Sequence, residues 1–335
     1  MKDKLQEAID LLEKTYDKGI FIRKDLTFER VPTNLIGLDK AIGGGIPKGL
    51  IIEIFGPEMG GKTSLGLFIA KVFQTTFKEQ KVLYLDYEHR VNVDWAKLIG
   101  VDTDNWIFSR PLHLEQGMDI AEKLIDTGKI SFMIVDSVAA MTPKDELEGN
   151  ITDNSIGLQA RKLGQTFRKM AGLISRKGVV AVFLNQIREK VGVYFGDPTV
   201  TPGGKALKFY SSIRIRITGS KSKIYNENER IMKGSVLKNS TSTKQGGEFV
   251  YLIRPDIGIS YCDELFDLAM ENGIITESGK NIFSICKHDV KGRDKFVDYI
   301  CKSDKVKEYI LQNLNDKQTE RDKDNKLQVA EVSGS

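Results

Sequence analysis

The run Gly56-Pro57-Glu58-Met59-Gly60-Gly61-Lys62-Thr63 fits the spacing GxxxxGK followed by Ser or Thr, and it lies between a strand-like apolar run and a helical stretch. Glycines at this spacing let successive backbone N–H groups curl round a β-phosphate, while the following helix turns its positive end toward the anion. Lys62 is placed to reach the β- and γ-phosphates, and the Thr63 hydroxyl to hold Mg²⁺, with Ser64 next to it on the first turn. The chemistry implied is binding of ATP with Mg²⁺. A chance glycine turn is the bland alternative, and the flanking pattern speaks against it.

Two carboxylates join this run. Met133-Ile134-Val135-Asp136 reads as a buried strand ending in an acid, where such a site needs a group to orient the water shell of magnesium. Leu83-Tyr84-Leu85-Asp86-Tyr87-Glu88 sets Glu88 just past another strand end, within reach of a water in line with the γ-phosphate. The residues alone leave Glu88 equally open to being a solvated loop charge.

The elements that must carry these groups alternate. From Leu50 to about Ile217, apolar runs at 51–55, 82–86, 132–136, 179–185 and 213–217 are separated by helical stretches, the pattern of parallel strands joined by crossover helices. Three of the runs end in Asp86, Asp136 and Asn185, and ligands gather at the carboxyl ends of strands, so the three ends are expected to face one site. Before this region, Leu5, Ile9, Leu12 and Tyr16 make one apolar stripe on a polar helix over 2–18, followed by a strand-like Ile20-Phe21-Ile22. After Tyr261, helices at 263–272 and 294–314 flank a glycine turn at Ser278-Gly279-Lys280. The last segment is polar, charged and poor in aromatics, and is expected to be disordered.

Composition agrees with a folded globular chain: 40% of the 335 residues are hydrophobic and 29% charged. A net charge of +4, from 50 basic and 46 acidic residues, is too small to announce a nucleic-acid partner, so any basic surface must be local. Cys262, Cys286 and Cys301 match no paired zinc spacing, and their odd number reads as idle thiols in a reducing compartment. The start Met1-Lys2-Asp3-Lys4 carries no apolar signal core, and a cytoplasmic, membrane-free location is expected.

The glycine-rich run, the Glu88 strand, Val135-Asp136-Ser137-Val138-Ala139-Ala140 and Asn185-Gln186-Ile187-Arg188 together resemble the bacterial and phage RecA recombinases, over the stretch from the N-terminal helix to about residue 315. Gly149 to Gly157, Gly192 to Pro198 and Gly203-Gly204-Lys205-Ala206-Leu207-Lys208-Phe209-Tyr210 carry the same likeness in the same order. The resemblance implies an α/β fold: a RecA-type P-loop ATPase core with a mostly parallel twisted sheet, an N-terminal helical arm and a small α+β C-terminal domain. The expected division is 1–32 for the helix and polymerisation arm, 33–260 for the core with its DNA-binding loops, 261–315 for the C-terminal domain and 316–335 for the tail.

On the same resemblance Glu88 is the general base for ATP hydrolysis, and Gln186 senses the γ-phosphate and passes its presence to the adjoining loop. Asn92 and Trp95 fall around adenine, where Asp and Tyr are usual, and Lys238 corresponds to a lysine that reaches the ATP of the next subunit. Two loops, 148–157 with Ile156 and 187–201 with Arg188, Lys190 and Phe195, are the expected DNA elements, together with Gly203, Gly204 and Lys205. The second interleaves basic, aromatic and glycine residues, which suits sequence-tolerant binding of a single strand, although such a loop reads equally well as a lid over a substrate. Arg161, Lys162, Arg168 and Lys169 return to one helix face at spacings of seven, with a solvated basic face as the plain alternative; by resemblance Arg161 and Arg168 contact the DNA backbone. Lys208, Phe209 and Arg214 fall where subunits meet. The chain departs from the family pattern at Ser240, where a second lysine is usual, and at Pro202 and Lys205, where threonine and asparagine are usual.

The function implied is that of a DNA-dependent ATPase and recombinase. It would form helical filaments on single-stranded DNA and exchange strands with homologous duplex, in recombination, repair and the SOS response to DNA damage. Expected partners are DNA, further copies of the chain, and repressor and mediator proteins. A hexameric helicase or motor on the same fold, and a regulatory ATPase or small-molecule kinase, are the competing readings.

Overall fold

The computed structural model describes residues 4–16, 27–150, 157–189, 199–219, 229–243 and 246–317. The Ile20-Phe21-Ile22 run, most of both expected DNA loops and the end of the tail lie outside the described residues.

A nine-stranded sheet forms the centre. Its strands are β1 Ile51–Gly56, β2 Lys81–Asp86, β3 Trp106–Ser109, β4 Ile130–Asp136, β5 Val180–Gln186, β6 Ile213–Gly219, β7 Arg230–Asn239, β8 Gly247–Arg254 and β9 Gly258–Ile259. The order across the sheet is β9-β8-β7-β6-β1-β5-β4-β2-β3. The six strands from β6 to β3 run parallel, and β7, β8 and β9 add antiparallel at one side. The five apolar runs legible in the sequence are β1, β2, β4, β5 and β6. All six residues of β1 are buried, as a central parallel strand with both faces covered requires.

Helices cover both faces. α1 is Lys4–Thr15, α2 Ile36–Ile42, α3 Lys62–Thr76, α4 Val93–Ile99, α5 Leu114–Asp126, α6 Leu158–Lys177 and α7 Gly204–Tyr210. Alternate residues of each strand join different cores: Ile54, Tyr84, Ile134 and Leu184 pack with α2, α3 and α4, whereas Ile51, Leu85, Val135 and Phe183 pack with α5, α6 and α7. That period of two assigns the last residue of each strand to one side of the sheet or the other.

The C-terminal part has its own apolar cluster around Leu265, Phe266, Phe283, Phe296 and Ile300. It contains α8 Tyr261–Glu271, α9 Arg293–Lys302 and a three-stranded antiparallel sheet of Thr276–Ser278, Ile282–Ile285 and His288–Lys291. The glycine turn is a hairpin bend between the first two of these strands. The single helix expected over 294–314 breaks at Ser303 and resumes over 304–317. The expectation of three idle thiols is corrected as well: Cys262 on α8 and Cys301 on α9 are joined, with sulfurs 2.04 Å apart, and Cys286 is free and exposed. Their separation of 39 residues gave no local spacing to read. Among the described residues no helix is long and apolar enough to cross a membrane.

Candidate functional site: a phosphate loop and its strand-end partners

Gly56 ends β1 beside β6. A Cβ on it would stand 2.1 Å from the Ile217 carbonyl oxygen, so only glycine allows the loop to leave the sheet this close to its neighbour. The loop then delivers Lys62 and Thr63 to the first turn of α3, a 15-residue helix whose free N–H groups face the opening. The cavity they border has a volume near 860 Å³ and is lined by residues 59–64 together with Asp86, Glu88, Arg90, Asn92, Trp95, Asp136 and Arg230. That size suits a nucleotide-scale ligand, for which pockets of about 300–1,000 Å³ are usual.

Lys62 is buried, and its Nζ donates to the Pro57 carbonyl at 2.6 Å across the loop, so the ammonium is held at the mouth of the amide cradle. Burial lowers its pKa, against the pull of Asp136, Glu88 and Glu58. Thr63 Oγ1 donates to Asp136 Oδ2 at 2.9 Å, and the Tyr84 hydroxyl donates to the same oxygen at 2.7 Å. Burial pushes the Asp136 carboxyl up to about 6, with Glu88 and Asp86 adding to the rise and the hydrogen bonds from Tyr84 and Thr63 opposing it. A carboxylate crowded by other acids in a buried site is stabilised by a cation, and the Thr63 and Asp136 oxygens suit a hard ion that keeps part of its water shell. Among the described residues no three His, Cys, Asp or Glu side chains are grouped to hold a metal.

Glu88 sits beside Asp136. Its Oε1 accepts from Gln186 Nε2 at 3.1 Å and from the Ser137 hydroxyl. β1, β5, β4 and β2 are adjacent, and the register sets Gly56 beside Gln186 and Asp86 beside Asp136. The phosphate loop, Asp136, Glu88 and Gln186 therefore converge. Asn185 does not: it turns to the opposite side of the sheet, where its amide meets Glu53 and the Pro202 carbonyl. The expectation that three strand ends face one site is corrected to two, Asp86 and Asp136, because consecutive strand residues point to opposite faces.

Asn92 caps α4 by accepting from Trp95 N at 2.9 Å, and the Trp95 indole donates to Ser64 Oγ at 3.0 Å. Both line the cavity, with Asn92 committed to the helix end and Trp95 fixed in orientation. Tyr84, Ser137 and Arg230 were not singled out from the sequence. Tyr84 is one apolar-run residue among many, and its pairing with Asp136 depends on register between β2 and β4.

Of the expected DNA elements, α6 and α7 lie on the other face of the sheet. Arg188 and Glu189 pair antiparallel with Val200 and Thr199, so the segment 187–201 stands on a two-stranded ribbon. Arg188 is exposed, and Lys205 is exposed at the start of α7. Ile156, Lys190 and Phe195 lie outside the described residues. Gly203 has φ 86 and Gly204 φ 68, the left-handed conformation that leads the ribbon into α7. On α6 the four basic residues divide: Lys162 pairs with Glu115 and Asp145, and Lys169 with Glu122, whereas Arg161 and Arg168 border a shallow groove with Gln165 and Tyr210.

Lys238 lies outside the cavity, with Nζ donating to the Lys208 and Phe209 carbonyls at 3.0 and 3.1 Å. Phe209 is 74% exposed, and Lys208 beside it is exposed too. Arg214 departs from the expected surface role: it is 7% exposed, its Nε donates to Glu53 Oε2 at 2.5 Å, and its guanidinium lies 4.6 Å from the centre of the Phe55 ring. Within one chain it is a buried partner of Glu53.

Comparison with known proteins agrees with this arrangement. The model of the RecA N-terminal domain family matches residues 3–246. The chain is 41% identical over 296 residues to Protein RecA of Acholeplasma laidlawii strain PG-8A, covering 83% of this chain and 86% of that one. It is 39% identical over 330 residues to Protein RecA of Staphylococcus aureus strain JH9, covering 95% and 94%. With the phosphate loop, the strand-end acids and the ribbon-based segment all in place, the chain belongs to the RecA family.

Proposed function

We propose that the chain is a cytoplasmic, DNA-dependent ATPase and recombinase that polymerises on single-stranded DNA and exchanges strands with a homologous duplex. The observation that carries this reading is the hydrogen bond from Gln186 to Glu88, at the end of a strand that is followed, after Ile187, by the short strand Arg188–Glu189 paired with Thr199–Val200.

The residues divide the work. The loop amides and Lys62 bind the triphosphate, while Thr63 and Asp136 hold Mg²⁺, which supplies charge neutralisation to the phosphate oxygens when bound. Trp95 and Asn92 border the space for the base. Glu88 accepts a proton from the attacking water, held in orientation by the Ser137 hydroxyl and the Gln186 amide. The Gln186 donor can bond either Glu88 or a γ-phosphate oxygen, so the end of β5 differs between nucleotide states. Arg161, Arg168, Arg188 and Lys205, with Ile156, Lys190, Phe195, Gly203 and Gly204, form the DNA surface. Binding there is to backbone and base faces and so tolerates any sequence. Lys208, Phe209 and Lys238 make one patch suited to meeting the next copy near its ATP, with α1 as the second contact. The division into 1–32, 33–260, 261–315 and 316–335 is retained in this reading, as is a place for repressor and mediator proteins among its partners.

The test is the rate of ATP hydrolysis with and without single-stranded DNA, followed by strand exchange between homologous and heterologous pairs. Stimulation by DNA and exchange confined to homologous pairs are expected. Unwinding without exchange would replace the reading by a motor.

A further inference from the structure

The side of the sheet opposite the nucleotide cavity carries a buried polar cluster with no part in binding ATP. Asn185 and Glu53 are fully buried and Arg214 nearly so. Both donors of the Asn185 carboxamide are used: Nδ2 donates to Glu53 Oε1 and to the Pro202 carbonyl, each at 3.0 Å, and Oδ1 accepts from Gln186 N at 3.0 Å. Glu53 passes the connection on through Oε2 to Arg214. Arg214 stands opposite Lys238 in the β6–β7 register, and Lys238 holds the carbonyls of Lys208 and Phe209.

We infer that Asn185 is a positioning residue that converts the state of the nucleotide-facing end of β5 into the placement of Pro202 and of the Glu53–Arg214 pair. The inference rests on the functional reading above and names the route by which that reading would work.

Backbone ladder bonds already fasten β5 to β1, with Asn185 beside Phe55 and Gln186 beside Gly56, so the strand does not need the carboxamide for its place in the sheet. What the carboxamide adds is a tie off the ladder to a residue 17 positions further on, beyond the segment 187–201 and just before Gly203. Gln186 and Asn185 are consecutive, so they face opposite sides and share one peptide unit. A change in the acceptor chosen by Gln186 on the nucleotide side turns that unit, and on the other side two hydrogen bonds must follow. The bond to Glu53 is fully buried and the one to Pro202 partly so, and where water is excluded an unmade bond is costly and the arrangement favours discrete states over gradual slackening. An apolar residue of the same size would avoid burying an amide and a carboxylate, so packing alone gives no reason for the cluster.

Two substitutions separate positioning from support. Asn185→Asp sets a carboxylate against Glu53 and the Pro202 carbonyl and breaks both ties. The pair Glu53→Gln with Asn185→Asp returns a donor and acceptor to the Glu53 contact but leaves Pro202 without a donor. The measurements are affinity for fluorescent ADP, thermal midpoint, and the ratio of affinities for a labelled oligo-dT with a non-hydrolysable ATP analogue and with ADP. In Asn185→Asp, ADP affinity is expected to stay within about threefold of the unmodified protein while the DNA affinity ratio falls by about tenfold or more. In the double variant the thermal midpoint returns and the ratio stays low. A ratio that stays at the unmodified level in the single variant, or returns with stability in the double, overturns the inference and leaves the functional reading standing. If the unmodified protein itself shows no difference between nucleotides, the reading falls and the inference with it. Should both variants fail to fold, hydrogen exchange on the unmodified chain decides: protection of residues 199–204 should differ between the ATP analogue and ADP, and equal protection overturns the inference.

Discussion

A half-buried carboxylate such as Asp136, pushed up to about 6 chiefly by loss of water, favours any cation that can reach it. The two hydrogen bonds it accepts keep one oxygen aimed at Thr63 and so at the first turn of α3. Replacing Lys62 by Ala removes the only side-chain cation among the loop residues 56–64. Lys62→Ala is expected to abolish ATP turnover with the fold intact by circular dichroism, and unchanged DNA-stimulated turnover would remove the loop from the active site. Glu88→Gln keeps the shape and the contact with Gln186 but takes away the base. Its turnover should fall by about 10²–10⁴ while nucleotide affinity changes little, as measured by fluorescent ATP binding and steady-state kinetics. These residues were legible because their signal is local, a fixed spacing or a strand that ends in an acid. Tyr84, Ser137 and Asn185 were not, since their roles depend on which strand lies beside which and on the side of the sheet each residue faces.

Among the elements, the five buried parallel strands could be read from their apolar runs, and β7 could not. It alternates buried and partly exposed residues along an antiparallel ribbon and is largely charged or small, so it does not stand out from a loop by hydrophobicity, whereas β8 carries the apolar run Phe249 to Ile253, a strand signal present in the sequence. The end of β8 away from the β7–β8 connection brings Arg254 to the C-terminal cluster, where it pairs with Glu229, Asp263 and Asp294 while Arg293 pairs with Asp263 and Asp267. Asp263 is fully buried between two arginines. Asp263→Ala leaves both guanidiniums undercompensated and should lower unfolding free energy by about 3–5 kcal/mol, read from denaturant titration. The next residue makes the second fastening: Glu264 accepts from Ile36 N at 2.9 Å and Gly37 N at 2.7 Å, joining α8 to the start of α2. Burial is the main cause that raises its carboxyl from 4.5 to about 7, against those two hydrogen bonds. The folded chain thus keeps a proton that the unfolded chain releases. This contribution to stability is complete below pH 4.5 and is lost as pH rises through about 7. Its full extent is on the order of 3 kcal/mol. Glu264→Gln should flatten the fall in denaturation midpoint between pH 5 and 8, and an unaltered slope would place the titration elsewhere.

At the scale of the whole molecule, the face bearing Phe209 and Lys208 and the helix α1 are where one chain is expected to meet the next. α1 buries none of its residues, and Leu12 and Tyr16 are exposed. Replacing both by Ser should leave ATP affinity unchanged and prevent sedimentation of long polymers with DNA; polymers of normal length would exclude α1 from the contact. The parallel order of the sheet places the phosphate loop, at the end of β1, beside the end of β5, which the paired residues 188–189 and 199–200 follow, so the reach from nucleotide to the proposed DNA surface is short. On the proposed reading, triphosphate at this loop decides whether DNA is gripped on the far side of the sheet. The deciding measurement titrates the unmodified protein with a labelled single strand in a non-hydrolysable ATP analogue, in ADP and without nucleotide. Tight binding with helical polymers in the analogue alone is the predicted result, and equal binding in all three without polymers would contradict it.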